Sequence, residues 1–246
     1  MTDRPTPAAH VPTPGGGEPT LPELVMAWGR GWARCRGTPA PTAVPGGFRV
    51  EVGRPGHRVR HVLHRHDAAV LNDLGRRLTA PGTWVKVMGS PAGLRDALPP
   101  RWTMAPVDHL MSGPFGAGVV TPPAPYTVRI DTTGGAVVAT VLDSTGSLAA
   151  SGRLGPAGSY GVVDQVETTP AHRRRGLGTV VMRALADHGA RHGLRNGILV
   201  ATDDGHGLYE SLGWTTAARP TASNRRQAAA DPDGPASLST AVELPA

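Results

Sequence analysis

One stretch of the 246-residue chain constrains its fold most: TTPAHRRRGLGTVVMRALADHG, from Thr168 to Gly189. A strand-like run leads into it, the chain turns through Gly176 and Gly178, and apolar residues then follow at helical spacing. The first amides of a helix lack acceptors within the helix, and the helix dipole adds positive partial charge. Because the two glycines carry no Cβ, ligand oxygens could approach this backbone closely. The stretch therefore predicts a strand, a turn and a helix that bind a phosphate or pyrophosphate, with arginines around the rim.

The common nucleotide-binding motifs do not fit this loop. A P-loop requires a lysine directly after its second glycine, but Thr179 follows Gly178. The dinucleotide fingerprint requires a third glycine at the position of Val181. The pattern that remains is Arg-x-x-Gly-x-Gly, from Arg173 to Gly178.

This pattern resembles the loop with which the GNAT superfamily of acyl-CoA-dependent N-acyltransferases wraps the pyrophosphate of coenzyme A. Downstream, GLRNGILVATDDGHGLYESLGW is similar to that family's next strand, its loop and its Leu-Tyr-x-x-Leu-Gly-aromatic ending. The resemblance covers residues 160–216, about a quarter of the chain. It implies the acyl-CoA N-acyltransferase fold, a mixed, mostly antiparallel α/β sheet flanked by helices, with acetyl-CoA as the cofactor.

The resemblance also implies which residues would hold the cofactor. In the family, a backbone N–H on the strand before the loop holds the thioester carbonyl, and alignment on Pro170 assigns it to Thr168 or its neighbour. Thr202 departs from the pattern, because many relatives have an asparagine there. The candidate cofactor-binding residues are Val166, Thr168, Arg173, Arg174, Arg175, Gly176, Leu177, Gly178, Thr179 and Thr202.

Three side chains are candidates for the chemistry. Tyr209 matches the tyrosine that often protonates the coenzyme A sulfur in the family, and a phenol is a suitable donor to a thiolate. Strand alternation places Asp164, Val166 and Thr168 on one face and Glu167 on the other, which makes Asp164 the first candidate for the base. Glu167 replaces it if a bulge shifts the register near the strand end. For each carboxylate, a surface position without a catalytic part is the alternative.

The order of elements predicts two halves. In the second half, short turns separate four strand-like runs that predict an antiparallel meander; these are Tyr126–Asp131, Ala136–Asp143, Leu148–Leu154 and Tyr160–Thr168. The Gly- and Pro-rich stretch FGAGVVTPPAPY precedes them and predicts a boundary. We therefore expect a disordered leader at 1–19, an N-terminal α/β module at 20–115 and an acetyltransferase-like domain at 120–246. Residues 221–234 are polar and predict a loop, and SLSTAVEL predicts a closing strand.

The N-terminal half shows a helix ended by Gly37, two strands, and then an alternation of helices and strands. This order is too long to supply only the two helices that usually open the family's fold. We interpret it as a degenerate acyltransferase-like half. It contains no Arg-x-x-Gly-x-Gly, so we expect a single cofactor site.

Composition limits the other function classes. The formal net charge of +6 would suit nucleic acid, but aromatic residues make up only 4% of the chain, so a base-stacking platform is poorly supplied. No apolar run reaches the roughly 20 residues of a membrane span, and the N-terminus lacks a signal-peptide pattern, so we expect a cytoplasmic protein.

Cys35 is the single cysteine, which excludes an internal disulfide. The patch HRVRHVLHRH lacks a complete ligand set, so we expect no metal site.

These observations predict an N-acetyltransferase that moves an acetyl group from acetyl-CoA to a small-molecule amine by direct attack. The acceptor pocket is expected between the halves. A non-catalytic acyl-CoA sensor or scaffold is the alternative, and a basic nucleic-acid binder is a third. The sequence leaves the acceptor and the acyl length open, and it is compatible with a homodimer.

Overall fold

The computed structural model describes residues 19–225, which form five α-helices and thirteen strands. The predicted leader (apart from its last residue) and the predicted closing strand lie outside these residues. The helices are α1 (Leu21–Arg36), α2 (Ala68–Arg77), α3 (Pro91–Ala97), α4 (Leu177–Arg191) and α5 (Asp203–Ser211). The strands are β1 (Thr42–Val44), β2 (Gly47–Arg54), β3 (His57–Leu63), β4 (Thr83–Met88), β5 (Trp102–Met104), β6 (His109–Pro114), β7 (Thr127–Thr133), β8 (Ala136–Leu142), β9 (Leu148–Ala157), β10 (Tyr160–Thr168), β11 (Asn196–Ala201), β12 (Thr215–Ala218) and β13 (Pro220–Arg225).

The strands form two sheets with the same plan. The first has the order β1-β2-β3-β4-β13-β5, and the second has the order β12-β6-β11-β10-β9-β8-β7. Each sheet contains an antiparallel meander that ends in one parallel pair, β3 with β4 and β10 with β11. The helix between the two strands of that pair is α2 in the first half and α4 in the second. Apart from the additional edge strand β7 of the second sheet, the N-terminal half thus repeats the topology of the C-terminal half, as its interpretation as an acyltransferase-like half predicts.

Each half contributes its last strand to the sheet of the other half. Strand β6 lies antiparallel between β11 and β12, and β13 lies antiparallel between β4 and β5. The predicted loop at 221–234 is therefore wrong for residues 221–225. Its polar residues are buried with their hydroxyls satisfied: Thr221 donates to the Gly89 carbonyl at 2.8 Å, and Ser223 donates to the Thr103 carbonyl at 2.9 Å. The sheets consequently do not divide at the predicted boundary between 115 and 120.

Helix α1 joins the halves. Its start is fixed by a capping box, in which Thr20 and Glu23 bond each other's backbone N–H, and it ends at Gly37 with φ +62°. The helix lies close to the second sheet, because a Cβ on Gly31 would come within 2.4 Å of the Val162 side chain. Its apolar face shares one core cluster with Phe48 of β2 and Val162 of β10.

The other face of the second sheet is covered by α4. The predicted inner stripe of this helix, Leu177, Val181, Ala184 and Leu185, is buried. It packs against a cluster that includes Val141 of β8, Leu154 of β9 and Leu199 of β11. This packing fixes the N-terminus of α4 at the end of β10, where the Arg-Gly turn lies.

Most of the histidine-rich patch, residues 57–63, forms strand β3. Strand β3 ends at Leu63, so His64 and His66 lie beyond it, whereas His61 is buried. Burial, with the positive charge of Arg49 as the next cause, lowers the pKa of His61 to about 4. Across residues 19–225, no group of three His, Cys, Asp or Glu side chains could hold a metal ion. None of the helices in this range is both long and apolar enough to span a membrane.

Candidate active site

A cleft of about 890 Å³ opens where the end of β10 meets the N-terminus of α4. Its walls include nine of the ten predicted cofactor-binding residues, together with the base candidate Glu167. The nine are Val166, Thr168, Arg173, Arg174, Gly176, Leu177, Gly178, Thr179 and Thr202. The two motifs identified in the sequence therefore meet at one cleft.

The Arg-Gly turn leaves a row of backbone donors free. Arg174 and Gly176 have positive φ angles of +60° and +75°, and Gly176 caps α4 without any side-chain hydrogen bond. Within residues 19–225, the amides from Arg174 to Thr179 have no hydrogen-bond acceptor, and the first bonded amide of this segment is that of Val180. With the exception of Arg175, these amides belong to residues that line the cleft. Such a row at a helix N-terminus suits the oxygens of a diphosphate.

The three arginines differ in their roles. Arg173 and Arg174 line the cleft, and Arg173 also donates from Nε to the Thr168 carbonyl at 3.2 Å. Arg175, predicted to bind the cofactor as well, does not line the cleft, and its guanidinium donates to the hydroxyl of Tyr126 at 2.9 Å.

The Arg175 contact begins a chain of hydrogen bonds that fixes the loop. The Tyr126 hydroxyl lies 2.9 Å from Nδ1 of His172, and Nε2 of His172 lies 3.6 Å from the Asp143 carboxylate. With the His172 proton on Nε2, Nδ1 accepts from the Tyr126 hydroxyl, and the 3.6 Å contact with Asp143 is electrostatic, because it is too long for a hydrogen bond. The chain fastens the Arg-Gly turn to the meander, so Arg175 acts on the loop conformation.

The opposite wall of the cleft comes from α5. Thr202 caps this helix by accepting a hydrogen bond from the Gly205 amide at 3.4 Å. A Cβ on Gly178 would come within 3.0 Å of a Leu208 methyl group, so the second glycine of the motif allows α4 and α5 to approach. Thr202 therefore lines the cleft, and its hydroxyl also stabilises the start of this wall.

A bulge in β10 separates the two base candidates. Gln165 has φ +54°, and the pairing with β9 shifts between Asp164 and Glu167. Val166 therefore packs with the α4-side cluster, whereas Asp164 bonds Arg36 of α1 on the other side of the sheet. The prediction that Asp164 shares a face with Val166 and Thr168 is wrong, because alternation is interrupted at Gln165.

Asp164 is held by an ion pair outside the cleft wall. Its two carboxylate oxygens accept from Nε and Nη2 of Arg36 at 2.6 and 3.1 Å, and its side chain is only 17% exposed. Glu167, beyond the bulge, lines the cleft beside Thr168. The condition under which Glu167 replaces Asp164 as the base candidate is therefore met.

Tyr209 lies on α5 next to the cleft-lining Leu208, although it does not line the cleft itself. Its ring packs against that of Trp214 with centroids 6.3 Å apart. Burial, and secondarily the negative charge of Asp164, raises the pKa of the Tyr209 phenol to about 12. Among the described residues, none bonds its hydroxyl, which leaves this proton available.

Sequence reasoning missed the side of the cleft formed by β9. Ala150 and Ser151 line it, and they pair with Thr168 and Glu167 directly across the strands. Only the pairing register of β9 and β10 could have indicated them, and the bulge changes that register. The small side chains of Ala150 and Ser151 leave the space that the cleft occupies.

Comparison with known proteins agrees with this geometry. The acetyltransferase (GNAT) family profile matches residues 104–214. A GCN5-related N-acetyltransferase from Kribbella flavida is 15% identical with a TM-score of 0.61, over 86% of this chain and 96% of that one. A second, from Sphaerobacter thermophilus, is 13% identical with a TM-score of 0.52, over 85% and 95% of the two chains. No curated protein sequence matches. At such identities the solved structures establish the fold, and the family profile identifies residues 104–214 as a GNAT acetyltransferase domain.

Proposed function

We propose that this protein transfers an acetyl group from acetyl-CoA to the amine of a small molecule. The observation that carries the proposal is the row of unpaired amides from Arg174 to Thr179 at the edge of the 890 Å³ cleft. Those donors, with Arg173 and Arg174, would hold the cofactor diphosphate. The cleft continues along Val166 and Thr168, where the thioester arm would lie.

The residues around the cleft supply each step of a direct transfer. A backbone N–H at or beside Thr168 polarises the thioester carbonyl, and the acceptor nitrogen attacks the carbonyl carbon. Glu167 takes a proton from that nitrogen as the C–N bond forms. The C–S bond then breaks, and Tyr209 gives its proton to the departing sulfur. The raised pKa of Tyr209 keeps the phenol protonated, so a proton is present for this last step.

Cofactor binding tests the proposal most directly. At a concentration 100-fold above its Kd, acetyl-CoA should stabilise the protein by about 2.7 kcal/mol. For a chain of this size, that corresponds to a rise of roughly 5–10 °C in Tm. Gly176→Asp should abolish the rise, because a carboxylate at the start of α4 repels the diphosphate from the free amides.

The matched control is Gly193→Asp at the opposite end of the same helix. Gly193 has φ +81°, close to the +75° of Gly176, and a Cβ at either position meets nothing within 4 Å. Both variants therefore carry the same charge and a similar backbone strain, but Gly193→Asp should keep the acetyl-CoA shift. An equal shift in the two variants would refute the assignment of the diphosphate to this loop. A normal shift without thiol release from any amine would leave a cofactor-binding protein that is not an enzyme.

A further inference from the structure

A second, smaller cavity of about 300 Å³ lies between the two halves. Its wall includes Arg60 of β3, Trp84 and Lys86 of β4, Asp108 before β6, and Ala222 of β13. Thr202, which lines the cofactor cleft, also lines this cavity. An occupant of the small cavity would therefore lie next to the cleft in which the proposed function places the thioester.

The charges of this cavity do not balance. Lys86 is 10% exposed at its side chain and forms an ion pair with Asp108, so these two charges compensate each other. Nearby, Asp164 is compensated in the same way by Arg36. Arg60 has no carboxylate within ion-pair distance among residues 19–225. One positive charge in the wall therefore has no directly paired carboxylate, and Asp164 and Asp108 act on it only from a longer distance.

The environment of Arg60 is otherwise built to hold a guanidinium. Its carbon Cζ lies 5.0 Å from the Trp32 ring centroid and 5.8 Å from that of Trp84. The only hydrogen bond it makes within the described chain runs from Nη2 to Nδ1 of His57, at 3.2 Å. Its Nε is fully buried and has no partner there.

A buried donor without a partner costs free energy, and a buried charge without a counter-charge costs more. Burial lowers the pKa of Arg60 to about 10, which leaves the group charged at neutral pH. Planar guanidinium groups pair preferentially with oxyanions, through two parallel hydrogen bonds where geometry permits. An anionic group of a ligand would satisfy both the free Nε and the unpaired charge.

We propose that the acceptor amine carries an oxyanion, a carboxylate or a phosphate, which binds Arg60 in the small cavity while the amine extends past Thr202 towards the cleft. This proposal rests on the proposed acetyl transfer and specifies its substrate class. The indole of Trp84 and the methyl group of Ala222 would enclose the short carbon linker. The cavity volume limits this part of the acceptor to a small group.

Three matched amines test the proposal: propylamine, β-alanine and O-phosphoethanolamine. Each presents a primary amine on a short chain, and they end in a methyl group, a carboxylate and a phosphate. Thiol release should give a kcat/KM at least tenfold higher for one of the anionic amines than for propylamine, and the better of the two identifies the oxyanion. Equal values for all three amines would overturn the proposal.

The role of Arg60 is tested with Arg60→Gln, Arg60→Lys and the control Arg54→Gln, which removes the same charge from an exposed position of β2. Arg60→Gln should abolish the preference for the anionic amine, mainly through KM. Arg60→Lys keeps the charge but lacks the paired donors of the guanidinium, so it should retain part of the preference. Arg54→Gln should retain the whole preference. A full preference in Arg60→Gln would overturn the proposal even if β-alanine were the best acceptor.

Ligand binding provides a readout that does not depend on catalysis. In the presence of coenzyme A, N-acetyl-β-alanine should raise Tm in the unmodified protein more than N-propylacetamide does, and Arg60→Gln should remove the difference. If this Arg60-dependent shift is found while no amine is acetylated, the anion site stands and the proposed transfer fails. If acetylation occurs and the two amides give equal shifts in the unmodified protein, the transfer stands and the anion site is refuted.

Discussion

At the scale of single residues, the proposed chemistry depends on a phenol that keeps its proton. A pKa of about 12 for Tyr209 means that the hydroxyl stays protonated up to at least pH 10, so it can serve as an acid throughout the usual assay range. Tyr209→Phe should lower kcat by about 100-fold, in the range of general acid catalysis, with little change in KM for acetyl-CoA. Steady-state kinetics followed by thiol release measure both quantities.

Tyr160→Phe is the control for this substitution, because Tyr160 is a partly buried tyrosine that packs in the other core cluster. It should leave kcat unchanged. A loss confined to KM in Tyr209→Phe would contradict the acid role. The acid role would also be contradicted if kcat of the unmodified enzyme fell near pH 9 while kcat of Tyr209→Phe did not.

At the scale of elements, the sequence predicted those parts that local patterns determine. The apolar spacing of α4 and the Gly-rich turns of the meander are local signals, and both elements are confirmed. Strands β6 and β13 were not predicted, because each is stabilised by pairing with strands of the other half. The bulge was predicted only as an alternative, since Gln165 is a residue that rarely adopts a positive φ.

The bulge in β10 leads to a prediction about the two carboxylates. Because Glu167 lines the cleft, Glu167→Gln should lower kcat by about 100-fold at an unchanged Tm. Asp164→Asn should instead lower Tm, because it leaves the partly buried Arg36 uncompensated, at a cost of about 1–3 kcal/mol. Thermal melts and kinetics on both variants separate the two roles.

The double variant Arg36→Gln/Asp164→Asn serves as the control for Asp164. Removing both charges should recover most of the lost Tm, because no unpaired charge remains. A Glu167→Gln enzyme with normal kcat would exclude Glu167 as the base. If the double variant recovered Tm but not kcat, Asp164 itself would be the catalytic carboxylate.

At the scale of the whole molecule, the exchanged strands make the two halves depend on each other. Sheet β1-β2-β3-β4-β13-β5 is interrupted if β13 leaves, and the second sheet is interrupted between β12 and β11 if β6 leaves. The small cavity is likewise built from both halves, since Arg60 and Thr202 line it together. An acceptor site between the halves therefore requires that they keep a fixed relative position.

This dependence predicts that the chain unfolds as one cooperative unit. Calorimetry should give a single transition whose calorimetric and van't Hoff enthalpies agree, because neither sheet is complete without the other half. Val162→Ala tests the coupling, since Val162 is fully buried in the core that α1 shares with β2 and β10. The variant should cost about 2 kcal/mol and lower the midpoint of the whole transition without splitting it. Two resolved transitions in the unmodified chain, or a Val162→Ala melt in which only part of the enthalpy moves, would show that the halves fold independently despite their exchanged strands.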